Sequence, residues 1–319
     1  MRRRPFLAEG LALAGVASAQ AAGWSPRHPL AMPAPLGPGS QVMAMAPGTW
    51  WENAQQEAEA LQARFAAAGW TLTVPAAIQG RWRWFSEPDE ARLRRLTRAL
   101  ADPAVAAVVS VAGGWGSARL LERGWRPPAA PRWLVGYSDA SALLLAQWTA
   151  GVGGAVHGSP AGDGAQWDRL RRLLSGQPVA PLLGEGWRPG EATGPLVVSN
   201  LTVATSLIGT PWFPRLEGCL LILEDVGEEP YRVDRLLTQW RTSGVLRGVV
   251  GVGLGHFRWK QDDILPGDLT MEEVLQDRFS DLGVPLVGRL PVGHGRPNLA
   301  LPLGRLARLD GQRGTLELL

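Results

Sequence analysis

Ser138 stands in the run Trp133-Leu-Val-Gly-Tyr-Ser-Asp-Ala-Ser-Ala-Leu-Leu-Leu-Ala, an apolar strand that passes through a Gly-x-Ser turn into a helix. Such a turn is tight and strained and needs small residues. It lifts a hydroxyl above a sheet edge with the next helix N-terminus aimed at it, which is how serine nucleophiles are presented. The same pattern serves a plainer purpose if Ser138 or Asp139 caps the helix by accepting from its first free N–H groups. Two further segments bear on that choice. Glu224 and Asp225 close the strand-like run Gly218-Cys-Leu-Leu-Ile-Leu, and His294 sits in Leu290-Pro-Val-Gly-His-Gly-Arg, a glycine-flanked loop after Val284-Pro-Leu-Val-Gly. A serine, an acid and a histidine at the ends of three strands can act together. Histidine is a base that titrates near neutrality, the acid fixes its tautomer and steadies the imidazolium, and the serine is a nucleophile too weak to act unaided. Taken singly, a strand-end carboxylate is commonly just solvated and a loop histidine a surface group.

The elements that must position these residues alternate in period. Val42-Met-Ala-Met-Ala reads as a first strand, Glu52 to Ala68 as a helix with Leu61, Phe65 and Ala66 on one side, and Thr71 to Pro75 as a second strand. Ala91 to Leu100 is a helix and Ala106 to Val111 a buried strand; a helix then precedes strand 133–137 and the helix after Ser138. Strands alternating with helices imply a parallel sheet with ligands at its carboxyl edge, where the Gly113 loop and the Ser138 turn both fall. The second half is mixed: strand 194–198, helix 200–208, strand 218–223, helix 230–241, strand 247–254, helix 270–280, then short strands. The expected architecture is α/β, with an N-terminal flavodoxin- or Rossmann-like parallel-sheet domain over 41–161 and a connector over 162–190. A smaller mixed α+β C-terminal domain over 191–319 follows, with the active site between the two.

Several ordered blocks resemble the LD-carboxypeptidase family, serine peptidases that trim peptidoglycan peptides and include the microcin-immunity hydrolases. They are Asp89-Glu-Ala-Arg-Leu-Arg-Arg-Leu, Ala101-Asp-Pro-Ala-Val-Ala-Ala-Val-Val-Ser, Gly113-Gly-Trp-Gly-Ser-Ala-Arg-Leu-Leu, Val135-Gly-Tyr-Ser-Asp and His157-Gly. In the second half come Asn200-Leu, Leu207-Ile-Gly-Thr-Pro-Trp, Leu223-Glu-Asp, Glu228 with Tyr231 and Asp234-Arg235, and Gly293-His-Gly. The resemblance runs from about Gln41 to the C-terminus. It implies Ser138 as nucleophile, Glu224 as the triad acid and His294 as base, and removal of the terminal D-alanine of murein tetrapeptide through an acyl-enzyme. Backbone N–H groups of Asp139 and of the Gly113-Gly114 turn are the expected oxyanion donors, with Trp115 beside the substrate. Two alternatives stay open: a microcin-immunity-type hydrolase of peptidyl or aminoacyl nucleotides, and a muropeptide-binding relative without turnover. The departures fall near the site. Ala112-Gly-Gly-Trp-Gly stands where the family has Arg-Gly-Gly-Tyr-Gly, Val198-Ser-Asn-Leu where it has Gly-Gly-Asn-Leu, and Ser159-Pro160 where it has Pro-Met. Losing that arginine removes a planar five-donor cation, so a carboxylate it would hold needs another partner.

Composition narrows the classes. With 45% hydrophobic and 19% charged residues, the 319-residue chain is long enough for two domains with cores. Its net charge is only +3, and residues 1–21 hold three arginines and one glutamate, so no nucleic-acid footprint is present. Cys219 is a single cysteine in an apolar run and packs as a small hydrophobe. His28, His157, His256 and His294 are scattered without metal-ligand spacing, so neither a metal nor a cofactor is expected. Arg2-Arg-Arg before Pro5-Phe-Leu, a short apolar run and small residues around Ala19 resemble a twin-arginine export signal over 1–21. The implied location is periplasmic or otherwise exported, with a cytoplasmic protein as alternative. The run is too short to span a membrane. A Pro-rich linker over 22–40 follows. A homodimer is implied by the family. Of the 15 tryptophans, Trp82, Trp84 and Trp115 lie in loops near the expected cleft, either stacking on a sugar or adenine ring or covering the edge of the core.

Overall fold

The computed structural model describes residues 30–260 and 267–319. The first half builds the sheet that its alternating pattern demands. Strands β1 (Gln41–Met45), β2 (Thr71–Thr73), β3 (Val105–Ser110), β4 (Trp133–Gly136) and β5 (Ala155–His157) run parallel in the spatial order β5-β4-β3-β1-β2. This is the flavodoxin-like order, and its crossovers are helices α1 (Ala54–Ala67), α2 (Asp89–Ala101), α3 (Ser117–Glu122) and α4 (Ser141–Thr149). Leu61 and Phe65 of α1 cover one face together with Leu170 and Leu174 of α5 (Gly164–Leu174). Leu96 and Leu100 of α2, Leu120 and Leu121 of α3, and α4 cover the other. Helix α4 is mostly apolar because it is buried all round: Ser141 through Trp148 are all buried, the polar Gln147 donating to Arg132 O and Gly153 O, and the core on this face continues into the second half of the chain.

The second half forms an eight-stranded mixed sheet in the order β6-β14-β13-β8-β9-β10-β11-β7. Its centre is parallel: β8 (Glu191–Asn200), β9 (Leu220–Val226), β10 (Gly251–Arg258) and β11 (Leu286–Gly288). Leu220 to Leu223 are wholly buried, as expected of a central strand covered on both faces. The antiparallel margins are β6 (Leu182–Leu183), β7 (Glu185–Arg188), β13 (Leu306–Asp310) and β14 (Thr315–Leu318). Helices α6 (Leu201–Thr205), α7 (Pro230–Thr242) and α8 (Met271–Ser280) complete it, the last begun by a capping box between Thr270 and Glu273.

One strand ties the halves together. After the His294 loop, β12 (Leu301–Pro302) pairs antiparallel with β5, placing Leu301 opposite His157. The β5 side of the first sheet therefore receives an outermost strand from the far end of the chain.

Three details differ from the sequence reading. Most of the stretch 162–190 is ordered structure, carrying α5, β6 and β7, because Leu170 and Leu174 recur on one side of α5 and seal the first sheet. From Leu30 onward the Pro-rich stretch is packed on the body: Leu36 is buried, its N–H donates to Leu174 O at 2.8 Å, and Trp133 Nε1 donates to Ala34 O at 2.9 Å. Strand β5 lay outside the periodicity reading, being only three residues long. The export-like segment 1–21 and His28 lie outside the described residues. No helix among the described residues is long and apolar enough to cross a membrane.

Candidate active site

Strand β4 ends at Gly136, and two residues later Ser138 adopts φ +58°, the left-handed region that a residue with a Cβ occupies only at a cost of about 1–3 kcal/mol. Glycine surrounds it for steric reasons. A Cβ on Gly113 would sit 3.2 Å from both Ser138 Cβ and Oγ, and one on Gly114, itself at φ +81°, would strike Thr49 Cβ at 2.7 Å. Thr49 in turn donates its N–H to Gly113 O at 3.0 Å. The Gly113-Gly114 turn is thus pressed between the Thr49 loop and the serine.

The capping alternative does not hold. Helix α4 begins with Ala140 at its cap and no side-chain capping bond. Asp139 is buried and turns the other way, its carboxylate accepting from Gly116 N at 3.1 Å and Ser117 N at 2.9 Å. It therefore anchors the start of α3 and the end of the glycine loop beside Ser138. Burial pushes its carboxyl up, while the hydrogen bonds from the 116–117 segment and the charge of Arg92 pull it down.

Glu224 and His294 come from the second sheet. Glu224 lies on β9 opposite Asn200, and opposite the irregularity in the β9–β10 register between Leu254 and Phe257. Its carboxylate is completely buried. His294 Nδ1 is 2.6 Å from Glu224 Oε2, and the His294 backbone N–H donates to the same oxygen at 3.2 Å. Gly293, at φ +93°, makes this possible, since a Cβ there would lie 2.3 Å from Oε2. Burial alone pushes the Glu224 carboxyl up, but the His157 and His294 imidazoles overcome it and hold the group at about 2. A carboxylate bonded to Nδ1 leaves the other imidazole nitrogen free to take a proton.

Both ends of the His294 loop are fastened. Leu290 N–H donates to Leu254 O at 2.9 Å, Gly293 N–H to Asn298 Oδ1 at 2.9 Å and Asn298 N–H to Gln166 Oε1 at 2.9 Å. Buried Arg169 donates to Ala300 O at 2.8 Å, its guanidinium pulled down by burial to about 10. The Tyr137 ring packs on His294 with centroids 5.0 Å apart, and Tyr137 precedes the serine directly. The hydrogen bonds of His294 run to Glu224 and, through its carbonyl, from Arg258; none runs to Ser138 Oγ. Such bonds are commonly long in empty sites and tighten with substrate.

A polar recess of about 260 Å³ opens beside His294, lined among others by Tyr137, Ser159, Asp163, Gln166, Arg258 and Arg296. A larger, mostly apolar recess of about 550 Å³ lies between the Met32–Pro35 segment, Trp133 and Leu318–Leu319, away from these groups. Asp225, beside Glu224, is consumed structurally: it accepts from Asn200 Nδ2, Thr202 and Val226 N–H, while burial pushes its carboxyl up to about 6. Asn200 also caps α6 through Val203 N–H. Trp82, Trp84 and Trp115 are 41%, 58% and 49% exposed; Trp82 and Trp84 both pack on buried Phe85 and so cover an edge of the core, while each leaves much of its ring at the surface. Cys219 is buried, its thiol pushed up to about 12 by desolvation.

The residue that sequence reasoning passed over is His157. It was visible only as part of a block with Gly158, and it emerges fully buried with Nε2 3.5 Å from Glu224 Oε1. Its partner lies in another sheet, so no local pattern announced the contact.

Comparison with known proteins agrees with this construction. The LD-carboxypeptidase N-terminal domain matches residues 41–158, which include Ser138, and the LD-carboxypeptidase C-terminal domain matches 193–309, which include Glu224 and His294. A Synechocystis sp. protein, named only provisionally as a carboxypeptidase, is 40% identical over 297 residues, covering 90% of this chain and 97% of its own. The murein tetrapeptide carboxypeptidase of Pseudomonas aeruginosa is 33% identical over 258 residues, covering 74% and 82%. Among solved structures, the muramoyltetrapeptide carboxypeptidase of Oxalobacter formigenes superposes with TM-score 0.72 at 26% identity over 87% of this chain and 97% of that one. The microcin C7 self immunity protein shares the fold, with TM-score 0.73 at 20% identity over 90% and 98%. With both halves matched in order and the matches spanning most of its length, the chain belongs to the LD-carboxypeptidase family of peptidases.

Proposed function

We propose that this protein is a serine-type LD-carboxypeptidase that removes the terminal D-alanine of murein tetrapeptide in peptidoglycan recycling. The observation that carries the reading is the 2.6 Å contact between His294 Nδ1 and buried Glu224, set one aromatic ring away from the left-handed Ser138 turn. In this mechanism His294 takes the proton of Ser138 as Oγ attacks the scissile carbonyl, and Glu224 holds the imidazole in the required tautomer. The oxyanion is received by N–H groups of Asp139 and the Gly113-Gly114 turn, each such donor being worth about 3–4 kcal/mol. His294 then returns the proton to the leaving amine, and water releases the acyl group from Ser138. The substrate's terminal carboxylate, deprived of the family arginine by Ala112, finds Arg258 and Arg296 in the recess beside His294. Trp115 gives that substrate an aromatic face.

The test is incubation of purified protein with murein tetrapeptide and, separately, with an aminoacyl sulfamoyl adenylate, products being identified by mass. Release of D-alanine that disappears in Ser138→Ala supports the reading. Cleavage of the adenylate alone supports the microcin-type alternative, and binding without turnover of either supports a muropeptide-binding protein. We further propose that the protein is exported by its twin-arginine-like start and acts as a homodimer; cell fractionation and light scattering decide these.

A further inference from the structure

His157 ends β5 in the first sheet, directly beside Gly136 in the β4–β5 register, two residues before the nucleophile. Glu224 belongs to the second sheet. The two side chains meet across the junction, both fully buried, with His157 Nε2 3.5 Å from Glu224 Oε1. Every hydrogen bond of the Glu224 carboxylate goes to Oε2, from His294. Oε1 has no hydrogen-bond partner, and neither does either ring nitrogen of His157, so two orphaned groups face each other in a space closed to solvent. Leaving a buried carboxylate oxygen unpaired is costly, and the donor placed to relieve it is the Nε2–H of His157. The Tyr137 ring packs edge-on to His157, with centroids 6.2 Å apart, and tilted against His294, so the two imidazoles, the carboxylate and this ring form one continuous contact. Strand β12 fixes the other side of His157 through its pairing with Leu301.

From this geometry we propose that His157 is a positioning residue of the hydrolytic site, binding Glu224 Oε1 from the nucleophile's sheet so that Oε2 is presented to His294 at a fixed place relative to Ser138. The proposal rests on the serine-peptidase reading above and deepens it: the triad acid is held by two histidines, one that takes the proton and one that does not. The role is mechanical and electrostatic. His157 touches no reacting atom, and it locks the register between the sheet that carries the serine and the sheet that carries the acid and base.

The experiment compares His157→Leu, His157→Asn and His157→Gln in the full chain. Glutamine places an N–H donor close to the imidazole Nε2 position, whereas asparagine is one methylene short. Two readouts are taken: steady-state D-alanine release from murein tetrapeptide, and the far-downfield proton resonance of the His294 Nδ1–H bonded to Glu224. The leucine and asparagine variants are expected to lose about 10- to 100-fold in kcat with KM within about twofold, and to shift or broaden the resonance; glutamine restores both in part. Equal behaviour of asparagine and glutamine, an unchanged resonance in both leucine and asparagine, or absence of the resonance from the wild type overturns the proposal. If the leucine variant does not fold, the asparagine–glutamine pair still decides. Should the wild type turn over no murein peptide, the functional reading falls while the resonance comparison continues to test His157.

Discussion

Replacing Gly293 by alanine perturbs the Glu224–His294 pair without substituting either member. The added Cβ would lie 2.3 Å from Glu224 Oε2 and 2.5 Å from its Cβ and Cγ, where ordinary contact begins near 3.4 Å. Clearing it requires about 1 Å of separation between the 293–294 backbone and the carboxylate, since a carbon cannot approach closer without steep repulsion. The carboxylate cannot retreat freely, being fully buried and bonded to two groups of the next residue. A 2.6 Å bond lengthened by about 1 Å leaves hydrogen-bonding range. Alanine also pays for the left-handed φ of +93°, about 1–2 kcal/mol. Together with the lost bond, a destabilisation of about 2–4 kcal/mol is expected. The kinetic effect is larger, because misplacing a catalytic base by about 1 Å costs on the order of 100-fold in kcat. Mass-spectrometric measurement of D-alanine release gives kcat and KM, and thermal unfolding gives the stability change. A Gly293→Ala enzyme with native kcat and an unmoved Tm would show that Glu224 and His294 are not held as described, and the reasoning from contact to catalysis would fail with it.

Glu224 makes stability depend on acidity in a definable window. Its carboxyl is held at about 2 against an ordinary 4.5, so the folded state gains about 3 kcal/mol that is complete above pH 4.5 and lost as pH falls through about 2. Urea unfolding between pH 2 and 5 should show stability rising with pH in the wild type, and Glu224→Gln should flatten that slope. Ser138→Gly relieves the strained φ of +58° and is expected to raise unfolding stability by about 1 kcal/mol while abolishing turnover; a destabilised variant would show that the turn is not under strain. Trp115→Ala should raise KM much more than it lowers kcat for a glycan-bearing muropeptide; equal effects on glycan-free tetrapeptide would remove the stacking role given to this exposed ring.

How much of this was legible in the sequence depends on distance along the chain. Strands β1, β3, β4 and β9 were readable because buried parallel strands are short apolar runs, and α1, α2, α7 and α8 because their buried positions recur at helical spacing. Strand β5 carries three residues, too few for any period, and α5 was hidden by the glycine and arginine content of its neighbourhood although Leu170 and Leu174 sit four apart. Within the candidate site, Ser138 stands out in the sequence by its turn and His294 by its flanking glycines. Glu224 and Asp225 were adjacent acids that spacing could not rank, and the fold separates them: one faces His294, the other is spent on Asn200 and Thr202. The purpose of Gly293 follows only from its approach to a strand some seventy residues away, and the position of His157 only from a contact between sheets, neither of which local chemistry encodes.

A buried, unsolvated carboxylate is an expensive object, and its placement at the seam between two sheets explains why the seam is built as it is. Water would stabilise Glu224 more cheaply, but a hydrated acid would neither hold one imidazole tautomer nor keep its distance from the serine. Exclusion of water therefore has to come from packing that joins both sheets: α4 buried along Ser141 to Trp148, Tyr137 laid against both histidines, and β12 crossing to the first sheet after the His294 loop. The return of β12 carries most of this. It follows His294 by seven residues and pairs Leu301 with His157, so the His294 loop is tied at one end to the sheet of Glu224 and at the other to the sheet of Ser138. A chain that only juxtaposed two domains would let Glu224 and His294 drift relative to Ser138 with every interdomain fluctuation. Threading the last strand of the first sheet through the base loop makes that drift cost strand pairing, and so converts the stability of the sheet into the precision of the site.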